Sequence, residues 1–206
     1  MRRFRRYGDA GQAFPIYITV VGGLLFLAFA YFAVGQAAAN RNGAQTAADA
    51  AALAAAQDTR DALAERWVQD LLDPAKWQAI FDGDVDGIGP TCGRAYELAA
   101  RNDASVVGCG PEGLLGYKVE VETNKTVGDS VVPGTENRRS NATATAVIEP
   151  RCTFPLPSED AGEDVLPLLT CEGEEWDLDP KGPVELLPEP EDLFEVHLAD
   201  RQANDE

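Results

Sequence analysis

The sequence predicts an α+β protein. A single N-terminal transmembrane helix continues into a long alanine-rich helix; a small antiparallel sheet domain with two disulfides follows, then an acidic, proline-rich C-terminal segment. Three observations predict this. No residue from Ala10 to Asn40 is charged. Residues 117–123 and 141–150 alternate apolar and polar side chains, as half-buried strands do. All four cysteines, Cys92, Cys109, Cys152 and Cys171, lie beyond the apolar run.

The chain divides into five parts: a basic head (1–12), a membrane anchor (13–35), an extracytoplasmic helix (36–73), a small exported domain (74–152) and an acidic segment (153–206). The head carries Arg2, Arg3, Arg5 and Arg6 against Asp9, whereas the 206-residue chain has a net charge of -18. A polyanion makes a poor nucleic-acid binder, because phosphate contacts need lysine and arginine. The most apolar stretch, Phe14 to Val34, would rise about 30 Å as a helix, the hydrocarbon thickness of a bilayer. A buried core helix rarely runs this long without charge, and a cleaved secretory peptide has a shorter apolar region. An uncleaved signal anchor fits better. Four arginines precede the span and Arg41 stands alone after it, so the N-terminus is expected in the cytoplasm and the rest outside.

Alanine is the best helix former, and no proline interrupts the chain between Pro15 and Pro74. The helix is therefore expected to run from about Phe14 to Leu72, with a further turn in "AKWQAIF" after Pro74. Residues 82–93 read as a loop, Arg94 to Arg101 as a short helix, and "SVVGC" as a strand. The link between the two alternating strands, 127–140, reads as a loop or loose hairpin. From Thr153 onward, seven prolines and seventeen acidic residues face only Lys181 and Arg201, which predicts an irregular or partly disordered segment burying little. "EWDL" and "LFEVHL" are candidate edge strands.

Four exported cysteines read as two disulfides and allow three connectivities. A helix of about eight residues carries the chain roughly 12 Å from Cys92, and an antiparallel strand of about five brings it roughly 17 Å back. That geometry favours Cys92–Cys109, leaving Cys152–Cys171 to staple the acidic segment.

Small residues let another surface approach a helix backbone closely. Gly35, Ala39, Gly43, Ala47, Ala51 and Ala55 form a row at four-residue spacing, a ridge used in helix packing. The row predicts a contact surface for a partner helix; packing on this chain's own domain is the rival. "QTAADAAALAAA", Gln45 to Ala56, following a membrane span, resembles the TadG-like N-terminal domain of Tad (tight adherence, Flp) pilus-assembly proteins. The resemblance covers roughly residues 8 to 57. It implies a membrane-anchored envelope protein of that machinery, non-catalytic, whose partners are the lipid bilayer and other pilin-like helices. Processed Flp pilins resemble Gly followed by a helix with Glu and Tyr at its fifth and sixth positions. After Gly8 those positions are Ala13 and Phe14, and after Gly11 they are Ile16 and Tyr17. The missing Glu favours a permanently anchored protein over a processed pilin.

Asp82, Asp84 and Asp86 with Gly87 match the first half of a Ca²⁺-binding EF-hand loop, but Gly93 stands where the twelfth-position Glu belongs. The alternatives kept open are thus a Ca²⁺-dependent surface module and an uncharacterised envelope enzyme. No other cofactor and no small-molecule substrate is identified. Catalysis finds no G-x-S-x-G, H-E-x-x-H or P-loop, and the single histidine, His197, sits two residues from Glu195 on one strand face.

Overall fold

Alanine-rich sequence without internal proline gives one uninterrupted helix, α1, Ala13–Gln69, about 85 Å long. The computed structural model describes residues 13–89, 91–126, 137–155 and 166–199. The basic head with its four arginines, residues 127–136 of the expected loop, and 156–165 and 200–206 of the acidic segment lie outside the described residues. Pro74 ends the helical path as expected. A 3₁₀ turn, Pro74–Lys76, leads into α2, Trp77–Phe81.

The end of α1 is held by its own charges. Asp70 takes a hydrogen bond from Lys76 at 2.8 Å and faces Arg66 at 2.7 Å, while the Trp77 indole donates to the Asp70 carbonyl at 3.2 Å. These contacts hold the Asp70 carboxyl below the usual carboxylate range, the Lys76 bond foremost and partial burial opposing. Cations near a helix C-terminus also suit its dipole.

After the loop comes α3, Gly93–Arg101, then β1, Ala104–Pro111, and β2, Gly116–Thr123. Strand β3 spans Asn141–Pro150. The acidic segment adds β4, Cys152–Thr153, β5, Leu169–Cys171, β6, Glu174–Trp176, the short turn of helix α4, Pro190–Leu193, and β7, Phe194–Leu198. Strands β1, β2, β3 and β7 make one antiparallel sheet in that order, and β4, β5 and β6 make a second. The upper part of α1 lies across β2, β3 and β7, with α3 beside it. Alternation does what it predicts: Tyr117, Val119, Val121 and Thr123 of β2 and Ala144, Ala146 and Ile148 of β3 are buried, while Lys118 and Glu120 face out.

Two glycines are obligatory for different reasons. A Cβ on Gly116 would stand 2.6 Å from the Glu112 carbonyl, inside the turn that joins β1 to β2. Gly83 has φ +71, and a Cβ there would meet Leu115 at 2.7 Å. Between β5 and β6, Glu172 and Gly173 both have positive φ, the two-residue hairpin geometry that matches strand twist.

The acidic segment departs from expectation. Leu169, Leu193 and Phe194 are fully buried, and β7 becomes the edge strand of the main sheet. Its apolar residues are few, but they complete an aromatic cluster. Trp67 packs on Trp77 with ring centroids 5.2 Å apart, Trp77 on Phe154 at 5.2 Å, and Phe81 on both Phe154 at 5.9 Å and Phe194 at 5.4 Å. Both disulfides pair as the spacing favours: Cys92–Cys109, and Cys152–Cys171 directly across β4 and β5.

Overpacking a tight alanine contact costs about 1–3 kcal/mol, whereas exposed substitutions stay within about 0.5 kcal/mol. Chemical denaturation of the full chain in detergent should therefore show Ala51→Leu destabilised by that amount and Ala39→Leu unchanged. Equal stability of the two variants would remove Ala51 from the core.

Candidate functional site

The long helix passes through three surroundings. From Phe14 to Val34 its side chains stand outside the fold: Phe14, Leu24, Phe26, Phe29 and Phe32 are exposed, and Tyr31 is 84% exposed. The most apolar window has a mean hydropathy of 2.2 and no buried residue. The helix is long and apolar enough to cross a membrane. Soluble proteins rarely leave apolar surface this extensive uncovered. Thr19 satisfies its hydroxyl within the helix, donating to the Pro15 carbonyl at 2.8 Å.

The next stretch, 35–43, is mostly exposed, with Gln36 and Asn40 half-buried. Gly35, Ala39 and Gly43 are exposed, and nothing lies within 4 Å of where a Cβ would stand on either glycine. Above it, Ala44, Ala47, Ala48, Ala51, Ala52, Ala55 and Ala56 are fully buried. The predicted row therefore splits. Ala47, Ala51 and Ala55 are buried within this chain's own fold and not open to a partner helix, which corrects the expectation for those three. The reason is partly geometric. A four-residue step exceeds one turn, so the row winds about 40° per step and Gly35 lies about 120° around from Ala47.

A pair of threonines, not singled out from the sequence, locks the helix to the loop before Cys92. The Thr59 and Thr91 hydroxyls are 2.6 Å apart, and both reach the Ala55 carbonyl, at 3.1 Å and 2.9 Å. The Thr91 amide donates to the Tyr117 hydroxyl at 3.4 Å. Only the burial of Thr59 in an alanine-rich helix could have signalled this, since a buried hydroxyl requires a partner.

In the acidic loop the three aspartates are not gathered as a set of metal ligands. Asp82 caps α2 and takes a hydrogen bond from the Gln78 amide at 3.0 Å. Among the described residues no three carboxylate, histidine or cysteine groups lie together as metal ligands, so Asp82, Asp84 and Asp86 do not converge. The loop lacks a closing ligand, because its twelfth position is a glycine at the start of α3.

His197 sits on β7, paired in register with Val147. Its Nδ1 lies 3.1 Å from the Leu198 carbonyl and its Nε2 lies 3.3 Å from Glu149. The Leu198 bond raises its pKa most, Glu149 adds to that, and burial opposes. Among the described residues its hydrogen-bond contacts are the Leu198 carbonyl and the Glu149 carboxylate, and neither is a nucleophile it could activate.

Residues 11–58 match a family model, Tad, described as "Putative Flp pilus-assembly TadE/G-like". The match covers less than a quarter of the 206 residues and falls almost wholly on α1, from its apolar start to the turn below Thr59. No curated protein and no solved structure matches the chain.

Because the folded state raises the His197 pKa, its protonation stabilises the fold below the ordinary value near 6.5. That contribution is lost as pH rises through the raised folded value. NMR titration of this single histidine should give a midpoint above that of an unfolded peptide. Glu149→Gln should move the midpoint down without abolishing the shift, since the Leu198 carbonyl remains.

Proposed function

We propose that this protein is a membrane-anchored, non-catalytic component of a Tad/Flp-type pilus-assembly system. The observation that carries this is the coincidence of the matched segment, 11–58, with a helix whose apolar half nothing in the described fold covers. The described fold offers lipid as the natural cover for that half. The basic head lies before the span, and the disulfide-bonded domain follows it. By the positive-inside bias the head stays in the cytoplasm and the domain faces the oxidising side, where disulfides persist.

The partners proposed are the bilayer and other pilin-like helices. The surface available to such a helix is the lower half of the small-residue row, Gly35, Ala39 and Gly43, since the upper half is occupied. Among the described residues no metal-ligand cluster supports the Ca²⁺-dependent alternative.

In the native host, the protein should resist alkaline carbonate extraction, and its domain should be digested by protease added to spheroplasts. Neutralising Arg2, Arg3, Arg5 and Arg6 should lower the digested fraction. Deleting the gene should abolish or sharply reduce surface filaments. Release by carbonate would remove the anchor reading, and undiminished filaments would remove the assembly role.

A photocrosslinking residue at Ala39 should capture a second membrane helix of the same machinery, whereas one at exposed Glu175 should not. Equal capture at both sites would show that the small-residue stretch is not a specific contact.

A further inference from the structure

Where α1 passes the acidic segment, a groove lies between them. One wall is a single face of the helix, Asp61, Ala64, Glu65 and Val68, spaced three and four residues apart. The other is the segment from Val184 to Pro190, which opens with a 3₁₀ turn, Val184–Leu186. The groove has a volume of about 310 Å³, room for a large apolar side chain. Asp61 stands about 40 Å above Val34 along the helix, well clear of a headgroup layer.

The second wall is stiff and leaves apolar surface open. Pro183, Pro188 and Pro190 restrict its backbone, and Leu187 and Glu189 are extended, with ψ 155 and 162. Pro188 is buried and ties the wall to the fold. Val184 is nevertheless 64% exposed and Leu186 70%, and Val68 on the facing wall is only half-buried. A rigid wall does not collapse onto the helix to cover them, so the groove is preformed and costs little ordering to fill.

The rim is acidic on both sides. Four carboxylates line the groove, Asp61 and Glu65 from α1 and Glu185 and Glu189 from the facing wall. Among the described residues no base lines it, and the nearby bases are committed. Arg60 holds Asp61 at 2.8 Å and Glu191 at 3.0 Å, Arg66 holds Asp70 at 2.7 Å, and Lys76 holds Asp70 and Asp73. Lys181 also has a partner. Setting both Arg60 and Lys181 against the four carboxylates still leaves two negative charges. The undescribed residues do not reverse this sign: 127–136 holds two acids and no base, 156–165 four acids and no base, and 200–206 three acids with Arg201. The basic head precedes Ala13, at the opposite end of α1.

We propose that this groove docks a basic amphipathic helix of another extracytoplasmic protein, with an apolar side chain between Val68 and Val184 and lysine or arginine on either flank. The carboxylates fix the choice of a helix. They stand on both walls, so the occupant must place cations on both sides of its apolar anchor. An amphipathic helix does this, because basic residues border its apolar stripe on each side and their long stems add apolar cover. A strand turns alternate residues to its opposite face, so the neighbours of an apolar anchor point away from the rim. This surface is separate from the small-residue contact proposed above and does not depend on it.

The test titrates a labelled, capped helix of leucine, lysine and alanine against the full chain in an uncharged detergent, by fluorescence anisotropy with empty micelles as the blank. Saturable binding is expected. Serine in place of leucine in the peptide, or Val184→Ser in the protein, should weaken it about tenfold, the worth of one buried valine-sized side chain. Glu65→Lys with Glu185→Lys should weaken it at least as much. Glu112→Lys with Glu120→Lys makes the same change in net charge at exposed sites on and beside β2, and should leave binding unchanged. Every substituted side chain is exposed, so the fold is retained. Equal weakening by the two charge reversals would reduce the binding to general attraction by a polyanion and overturn the groove. A serine peptide that binds as tightly as the leucine peptide, or no binding to the unaltered chain, would overturn it as well.

Discussion

The domain depends on how closely the sheet can approach α1. Ala47, Ala48, Ala51, Ala52, Ala55 and Ala56 present almost bare backbone to the sheet and to α3, which answer with Ala144 and Ala146 and with Ala95 and Ala99. Small side chains on both surfaces put the helix and sheet backbones in near contact, where dispersion is strong but a single added methyl has nowhere to go. Larger side chains gather at the far end, where Trp67, Trp77, Phe81, Phe154 and Phe194 form the bulky part of the core. The disulfides close loops of 17 and 19 residues, each restricting the unfolded chain by about 3 kcal/mol in the entropic account.

Much of this was legible in the sequence, and the reasons for what was not are specific. The long helix showed because alanine and the absence of proline speak locally. Strands β2 and β3 showed because alternation is strict over seven or more residues. The cysteine pairing followed from element lengths alone. Of the second sheet only β6 showed, through "EWDL"; β4 and β5 did not, because they are two and three residues long in an acidic, proline-rich background. "LFEVHL" marked the place of β7, but composition averages hid how deeply Leu169, Leu193 and Phe194 are buried, which decides the course of the segment. Regular spacing in the small-residue row suggested one surface, but spacing does not say what covers it. The boundary at Ala44 between open and buried positions is set by where β3 begins, about a hundred residues later in the chain.

A single helix thus has to satisfy two different requirements. Below Val34 its side chains suit hydrocarbon, and above Ala44 they suit a sheet. The intervening stretch carries Gln36, Asn40, Arg41 and Asn42 among small residues, a composition for the interface between the two. The family match covers this whole succession and stops where the domain's own loop takes hold at Thr59. The part of the helix that resembles other pilus-assembly proteins is therefore both the apolar half and the floor of this domain's core. The sheet built upon that floor belongs to the unmatched part of the chain.

The continuity of α1 also has a mechanical consequence. A pull on the domain reaches its apolar half as tension along the helix axis, parallel to the face on which β2 and β3 lie. Contacts loaded in that direction must slide together and do not peel one by one. The alanine face offers little to catch on, so resistance to sliding falls on the projecting groups: the Thr59–Thr91 clasp, the Arg60–Glu191 pair and the Trp67 ring. These lie at the end farthest from the apolar half, so the strain of a pull would concentrate at the top of the domain, while at its base the Gln45–Thr143 hydrogen bond is the polar tie from helix to sheet.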